Sequence, residues 1–520
     1  MRAAPTSLAA AERRLCVRLA LAMLTSLLIF QHGSFAGTDE VGVFETTRAL
    51  FEGGSLAVPP GYHTFPGRDG RRYSHFAVGQ SVLALPFYAL GHGAAQVLPE
   101  SWRRALAGPP AQLGLIRFGG SLEIAATSLY APVATAVLSA IFFLWQRRLG
   151  ASLRSASMAT ILLAATTYVG MMSVYFLQHT TEAIAILGGL YLLRRYAEGG
   201  ELRTLAAASA VASSTLLVRV PALVAAPGLI GYALWALAAQ RRQRERPFAL
   251  GPALAALVLP TLAVVAIHVA VDQRKWGSWL ASPMLAQRDA FSNPWSVGLG
   301  GFLLSPGCSV FAYSPLLLLA PWTFAGLWRR HRAECAAALA ISLSFLFFCA
   351  RFDAWTGLWS SPGPRYLFVA TPLLLLPFGA WLDANRGRTA RNAVIALAVL
   401  GLAVQLVLVC VRWPAVIELS HYREFVPPKG FVFVPLLSPI PAAARVLARG
   451  WLDPWVWNLA VGWEGWSGMP LAAVLVVLAW AGATAAAVRS ALAALRDAED
   501  REAGRTDCGA PLAGGGPHST

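Results

Sequence analysis

A chain of 520 residues with 56% hydrophobic and only 13% charged residues, and a mean hydropathy of +0.55, is not disordered, collagen-like or an ordinary soluble enzyme. Its 42 basic residues outnumber 26 acidic ones, a net charge of +16, and all but Lys275 and Lys429 of the basic residues are arginine. In a soluble domain such a balance points to nucleic acid. Here the arginines fall in short clusters between apolar runs, the pattern of cytoplasmic membrane loops, so no nucleic-acid partner is expected.

A helix needs about 20 apolar residues to cross the hydrocarbon. The first such run is Leu19 to Phe35, behind Arg13, Arg14 and Arg18. Ser34-Phe35-Ala36 resembles a signal-peptidase site, but the rest of the chain is equally apolar, so this run reads as an uncleaved first span. Further runs follow at about 121–145, 154–175, 182–196, 203–219, 222–240, 248–271, 308–328, 333–350, 365–385, 392–412 and 471–489. The fold class is therefore an all-α polytopic membrane protein of about twelve transmembrane helices. Arginine clusters at 147–148, 194–195, 241–244, 329–332 and 386–391 fall in alternate loops. Placing them in the cytoplasm puts both termini inside and turns the long loops 37–120, 272–307, 351–364 and 413–470 outward. This divides the chain into a cytoplasmic N-terminus (1–18), a membrane domain (19–489) and a cytoplasmic tail (490–520), a short helix followed by disorder. The apolar stretch Phe76 to Leu98 reads as juxtamembrane helices lying along the outer face, because a span there would swap the sides of the later arginine clusters. The six cysteines form no CxxC pair, so neither a disulfide framework nor a zinc site is expected.

Polar chemistry concentrates at the outer ends of the spans. Gly37-Thr38-Asp39-Glu40 follows the first run at once. Its two carboxylates can take a proton or hold a cation, and either Thr38 or Asp39 can cap the helix that follows. Gln178-His179-Thr180-Thr181-Glu182 is a tight outer turn whose glutamate begins a span, where an ionisable residue is costly and marks function unless it merely caps. Arg219, at the apex of a helical hairpin, is either a phosphate fork or an arginine reaching for outer headgroups. Arg71-Arg72-Tyr73-Ser74-His75 and Gly363-Pro364-Arg365-Tyr366 are two more outer basic sites. Twelve of 18 tryptophans (102, 276, 279, 295, 355, 359, 413, 451, 455, 457, 463 and 466) fall in outer loops, as an interfacial belt or a carbohydrate-handling surface would have them.

These features resemble, in order along most of the chain, the glycosyltransferase C superfamily, and within it bacterial relatives of protein O-mannosyltransferases and aminoarabinose transferases. Asp39-Glu40 occupies the place of the family's acidic pair after the first span. Thr46 to Leu56 looks like its juxtamembrane helix, and Gly67 to Pro86 like the loop beyond it, with His75 where relatives often carry lysine. Glu182 matches the second acidic position. Lys275-Trp276-Gly277-Ser278, Phe302 to Pro306, Tyr313-Ser314-Pro315, and Trp355 to Tyr366 resemble later loops.

The resemblance implies a membrane glycosyltransferase that moves a sugar from a polyprenyl-phosphate carrier to a glycan, lipid or protein acceptor, with inversion. The site would face the outside of a bacterial inner membrane. It implies Asp39 as general base with Glu40 in support, and His179 and Glu182 on the acceptor side, where a divalent cation is a candidate cofactor. Arg72, His75, Arg219 and Arg365 would hold the carrier phosphate, with His75 making that contact pH-sensitive. The rival reading is a transporter or flippase of lipid-linked saccharides, which should bury charge mid-span or pair broken helices.

Overall fold

The computed structural model describes residues 5–61, 63–107, 119–243, 249–278, 283, 290–358, 360–419, 432–456 and 470–507. Six helical stretches among them are long and apolar enough to cross a membrane: Leu122–Arg148, Val220–Arg242, Leu250–Trp276, Arg332–Arg351, Arg388–Val409 and Leu478–Ala503. The chain is thus a multi-pass membrane protein. The predicted run 182–196 lies in one unbroken helix (His179–Gly199), while others are helical but broken. The run at 308–328 splits into Val310–Tyr313, Pro315–Leu319 and Ala320–Trp328, and the run at 365–385 splits at Leu375 to Pro377. Prolines 315 and 377 stand at these breaks, where the ring removes an N–H and clashes with the preceding turn.

The first helix, α1 (Pro5–Leu28), stops well short of the predicted Phe35. Gln31 and His32 are buried there and bond the Ser173 and Val409 carbonyls at 2.5 and 2.9 Å. Two polar side chains that find carbonyls at the ends of other helices replace a further helical turn. The final helix (Pro470–Asp507) lies antiparallel to α1, with Trp480 bonded to the Thr25 carbonyl, Arg18 to that of Ser490, and Arg14 paired with Asp497.

The loop after α1 carries the elements that matter. Helix α2 (Thr38–Gly53) leads to a hairpin, β1 (Thr64–Pro66) with β2 (Arg72–Ser74), in antiparallel register Thr64↔Ser74, Phe65↔Tyr73, Pro66↔Arg72. The rest of the described chain is mostly helical, so this hairpin is a small addition to the expected helical fold. The Asp69-Gly70 turn closes the pair, with Gly70 at φ +75° and Asp69 accepting from Arg71 N and Tyr73 Oη. The stretch Phe76 to Leu98 then forms two helices, α3 (Gly79–Leu83) and α4 (Leu85–Val97), joined at Ala84.

Helix α5 (His179–Gly199) carries Glu182 at one end and Arg194 and Glu198 near the other. Sixteen residues of helix from Glu182 to Glu198 span about 24 Å, close to the thickness of a bilayer core. At the far end Arg194 bonds Glu198 and Glu334, and Arg147 bridges Glu12 and Glu502. The end of the bundle that carries Arg147 and Arg194 and the end that carries Glu182 are therefore opposite ends.

The tryptophans divide. Trp355 and Trp413 are fully buried, which makes them core rather than belt or binding surface. Trp295 and Trp102 are exposed. Trp279, Trp359, Trp457, Trp463 and Trp466 lie outside the described residues, as does much of the predicted outer loop 413–470 and the tail beyond Asp507.

Candidate active site

Asp39 sits in the first turn of α2, and Gly37, in extended backbone, precedes the helix. The side chain that caps this helix end is that of neither Thr38 nor Asp39. It is Glu40, whose carboxylate turns back to accept the backbone N–H groups of Ala36 (2.6 Å) and Gly37 (2.8 Å) and also that of Phe176 (2.5 Å). Burial pushes the Glu40 carboxyl up, to about 8, against the three N–H donors that favour its anion. With both oxygens on backbone, Glu40 faces the protein. It fixes the turn that presents Asp39.

Asp39 points the other way. Oδ2 lies 2.6 Å from Arg365 Nη1 and Oδ1 lies 3.1 Å from His63 Nε2. Burial alone would raise its pKa, but the guanidinium and the imidazole outweigh that and hold the carboxyl well below the usual carboxylate range. The same His63 nitrogen is 2.8 Å from Thr38 Oγ1.

Arg365 comes from a loop shaped by two left-handed glycines. Gly363 (φ +83°) passes beneath the rings of Tyr168 and Tyr313, where a Cβ would stand 2.7 Å from ring carbons. A Cβ at Gly357 (φ +62°) would stand 2.6 Å from Arg365 Nε. Tyr168 also donates its hydroxyl to the Pro362 carbonyl at 2.6 Å. Gly363→Ala combines left-handed strain with a collision and should cost about 2 kcal/mol or more, read as a lower unfolding midpoint in detergent.

A second pair stands beside the first. Arg219 Nη1 is 2.8 Å from Glu182 Oε2, and Glu182 is wholly buried. This arginine is therefore not reaching for headgroups. It follows a short helix (Thr215–Val218), and Gln178 holds that helix by donating to the Val218 carbonyl at 2.7 Å. Tyr366 joins the two pairs. Its ring lies 4.9 Å from the Arg365 guanidinium carbon and 5.5 Å from that of Arg219, and its hydroxyl accepts from Arg365 Nη2 at 3.1 Å. His179 is buried with its ring 6.0 Å from that of Tyr366. Both His179 ring nitrogens and Glu182 Oε1 are buried without a hydrogen-bond partner among the described residues.

Of the predicted residues, Asp39, Arg365, Arg219, Glu182 and His179 thus form one continuous array. His75 adjoins it through His63, ring against ring at 5.1 Å. Burial first, and then the neighbouring His63, lower His75 to about 4, so it is neutral near pH 7. The expected pH-sensitive phosphate contact would therefore titrate in acid only. Arg72 is turned to its partner strand, bonding Thr64 Oγ1 at 3.0 Å and the Thr64 carbonyl. Three further residues belong here. Tyr366 was named only within its motif, and His63 carried no local signal. Lys275, one of two lysines in the chain, buries its ammonium on the Ser74 and Phe76 carbonyls at 3.0 and 2.8 Å, to either side of His75.

The residues do not suit a divalent cation. Asp39 has an oxygen on each of Arg365 and His63, Glu182 has one on Arg219, and among the described residues no three His, Cys, Asp or Glu side chains converge. A small apolar cleft of about 100 Å³, lined by Met23, Leu27, Phe30, Leu402 and Leu406 among others, lies apart from the array.

No family model matches the sequence, and no curated protein matches it. Among solved structures the chain aligns with ArnT from Cupriavidus metallidurans bound to undecaprenyl phosphate, at 16% identity and a TM-score of 0.45, over 95% of this chain and 78% of that one. The same protein in its apo state aligns at 14% identity and a TM-score of 0.47, over 86% and 76%. The archaeal oligosaccharyltransferase AglB from Archaeoglobus fulgidus, in complex with an inhibitory peptide and a dolichol-phosphate, aligns at 14% and 0.40, over 82% of this chain and 60% of that one. The chain aligns with these proteins along most of its length, and at such identities no residue role passes from one to another.

Proposed function

We propose that the chain is a membrane glycosyltransferase that moves a sugar from a polyprenyl-phosphate carrier to an acceptor hydroxyl, on the face opposite its arginine-rich loops. The observation that carries this is the Asp39–Arg365–Tyr366–Arg219–Glu182 array. It sets one anionic base and two guanidinium groups side by side at a single end of the helix bundle. Of the two marks of a flippase, charge buried mid-span and paired broken helices, the array lacks the first, because its charges stand at helix ends.

In the proposed reaction the acceptor oxygen attacks the anomeric carbon and the bond from that carbon to the phosphate oxygen breaks. The hydroxyl proton passes to Asp39. The electron pair leaves on the polyprenyl phosphate, whose charge Arg365 and Arg219 hold. Attack opposite the leaving phosphate inverts the anomeric centre. The array is neutral as it stands, so a phosphate arriving at Arg365 competes with Asp39 for the same guanidinium. Drawing Arg365 away would free Asp39 and raise its pKa towards that of a competent base. Glu182 Oε1 and the two His179 nitrogens, lacking partners, are the groups left to bond donor or acceptor hydroxyls.

The test uses purified protein in nanodiscs with a panel of radiolabelled polyprenyl-phosphate sugars and a crude membrane acceptor extract. Release of free polyprenyl phosphate from one donor, dependent on the extract, supports the reading. Tight donor binding with no release from any donor, whatever the extract, would turn it towards the flippase. EDTA should leave the rate unchanged, because both carboxylates already face arginine. Inhibition reversed by a single divalent ion would overturn that expectation.

A further inference from the structure

His63 is the one non-glycine residue with positive φ (+57°) among the described residues. A side chain in left-handed backbone persists only where its surroundings over-determine it, and such residues gather at functional sites. Two sets of contacts determine this one. On the backbone side, the His63 carbonyl accepts from His75 N at 3.2 Å, extending the β1–β2 ladder. On the side-chain side, Nε2 reaches Thr38 Oγ1 and Asp39 Oδ1, while the ring stands edge-on to His75 and Phe76 at 5.1 and 5.6 Å. The hairpin therefore delivers an imidazole to the Asp39 oxygen that Arg365 does not hold.

We propose that His63 is the positioning residue of this site: it holds the Asp39 carboxylate in place when Arg365 turns from it to the carrier phosphate. This rests on the transferase reading for its consequence, though not for the contact itself. If Asp39 had Arg365 alone, loss of the guanidinium would leave its χ1 and χ2 free. A base must sit within hydrogen-bond reach of the proton it takes. The bond from His63 keeps one carboxylate oxygen fixed and leaves the other, vacated by Arg365, for the acceptor hydroxyl. Thr38, one residue before Asp39 on α2, shares the same nitrogen and keeps the imidazole on this end of the helix. The charged and titratable groups facing Asp39 are Arg365, His63, the adjacent Glu40, and at longer range His75 and His179.

The test compares His63→Gly, which relieves the backbone strain and removes the ring, with His63→Gln, which restores an N–H donor near the Nε2 position. His63→Gly should fold with an unchanged or higher unfolding midpoint. Its kcat should fall at least tenfold with donor KM within about threefold of wild type, and His63→Gln should recover a large part of the loss. The acid limb of the kcat/KM profile should move to higher pH in His63→Gly, because a bond that favours the Asp39 anion is gone.

A readout without substrate separates this proposal from the transferase reading. Dicyclohexylcarbodiimide attacks protonated carboxyl groups, and peptide mapping follows its addition to Asp39 across pH. Labelling that begins at higher pH in His63→Gly supports the clasp even if no donor turns over. Equal labelling of the two proteins at every pH, including none in either, overturns it. So does a rate that falls only in step with the folded fraction while the acid limb stays in place.

Discussion

Asp39→Asn should lower release of polyprenyl phosphate by about 10²- to 10⁴-fold, the contribution of one positioned base, while the protein still folds. The amide keeps the shape of the carboxylate. Its oxygen can still accept from Arg365 Nη1, so the buried guanidinium keeps a partner and the loop at Gly357 to Arg365 keeps its anchor. On the proposed reading, what is lost is the acceptor of the hydroxyl proton, together with the negative charge paired with Arg365. Without that charge the carrier phosphate no longer competes for the guanidinium, so donor KM should stay level or fall while kcat collapses. A variant that retained more than a tenth of wild-type turnover would remove Asp39 from the base role. Measured kcat and KM on the donor that the wild type uses decide the matter.

The largest stability effect should come from the second pair. Arg219→Met leaves Glu182 as a fully buried carboxylate without its cation, and breaking such a pair from one side costs about 3–5 kcal/mol. Arg219→Met combined with Glu182→Met removes both charges, and the apolar replacement should bring stability back to wild type or above. Turnover should be absent in both variants. Unfolding midpoints in detergent, read beside the release assay, therefore separate fold from chemistry. If the double variant were as unstable as the single one, the cost would lie in packing rather than in the uncompensated charge. The cation–π contact of Arg219 with the Tyr366 ring is lost equally in both and so drops out of the comparison.

Most of the array could be named in advance because each member breaks a local rule. Asp39, Glu182 and Arg219 are charged residues at the ends of apolar runs, and Arg365 follows a Gly-Pro turn before another such run. Charge at such a boundary is costly enough to stand out in one dimension. Glu40 obeyed no such simple reading. The sequence placed it beside Asp39 with a shared role, and the structure turns it back onto three backbone N–H groups, one of them 136 residues away. Arg72 shows the same limit. Its strand position, invisible until the Asp69-Gly70 turn closes, decides that its guanidinium meets Thr64.

That this chain is a membrane protein, and where its costly charges lie, can be read along the chain. Both follow from composition and from runs of about 20 residues, which are local properties. Which charge meets which is set by the fold. Asp39 and Arg365 are 326 residues apart and Glu182 and Arg219 are 37 apart. No periodicity encodes a contact between the end of one helix and the loop beyond another. The same holds for His63 and Tyr366. His63 has no local signature and Tyr366 is marked only by its motif, and each acquires its place only when the hairpin and the Gly363 turn bring it against Asp39 and the two guanidinium groups.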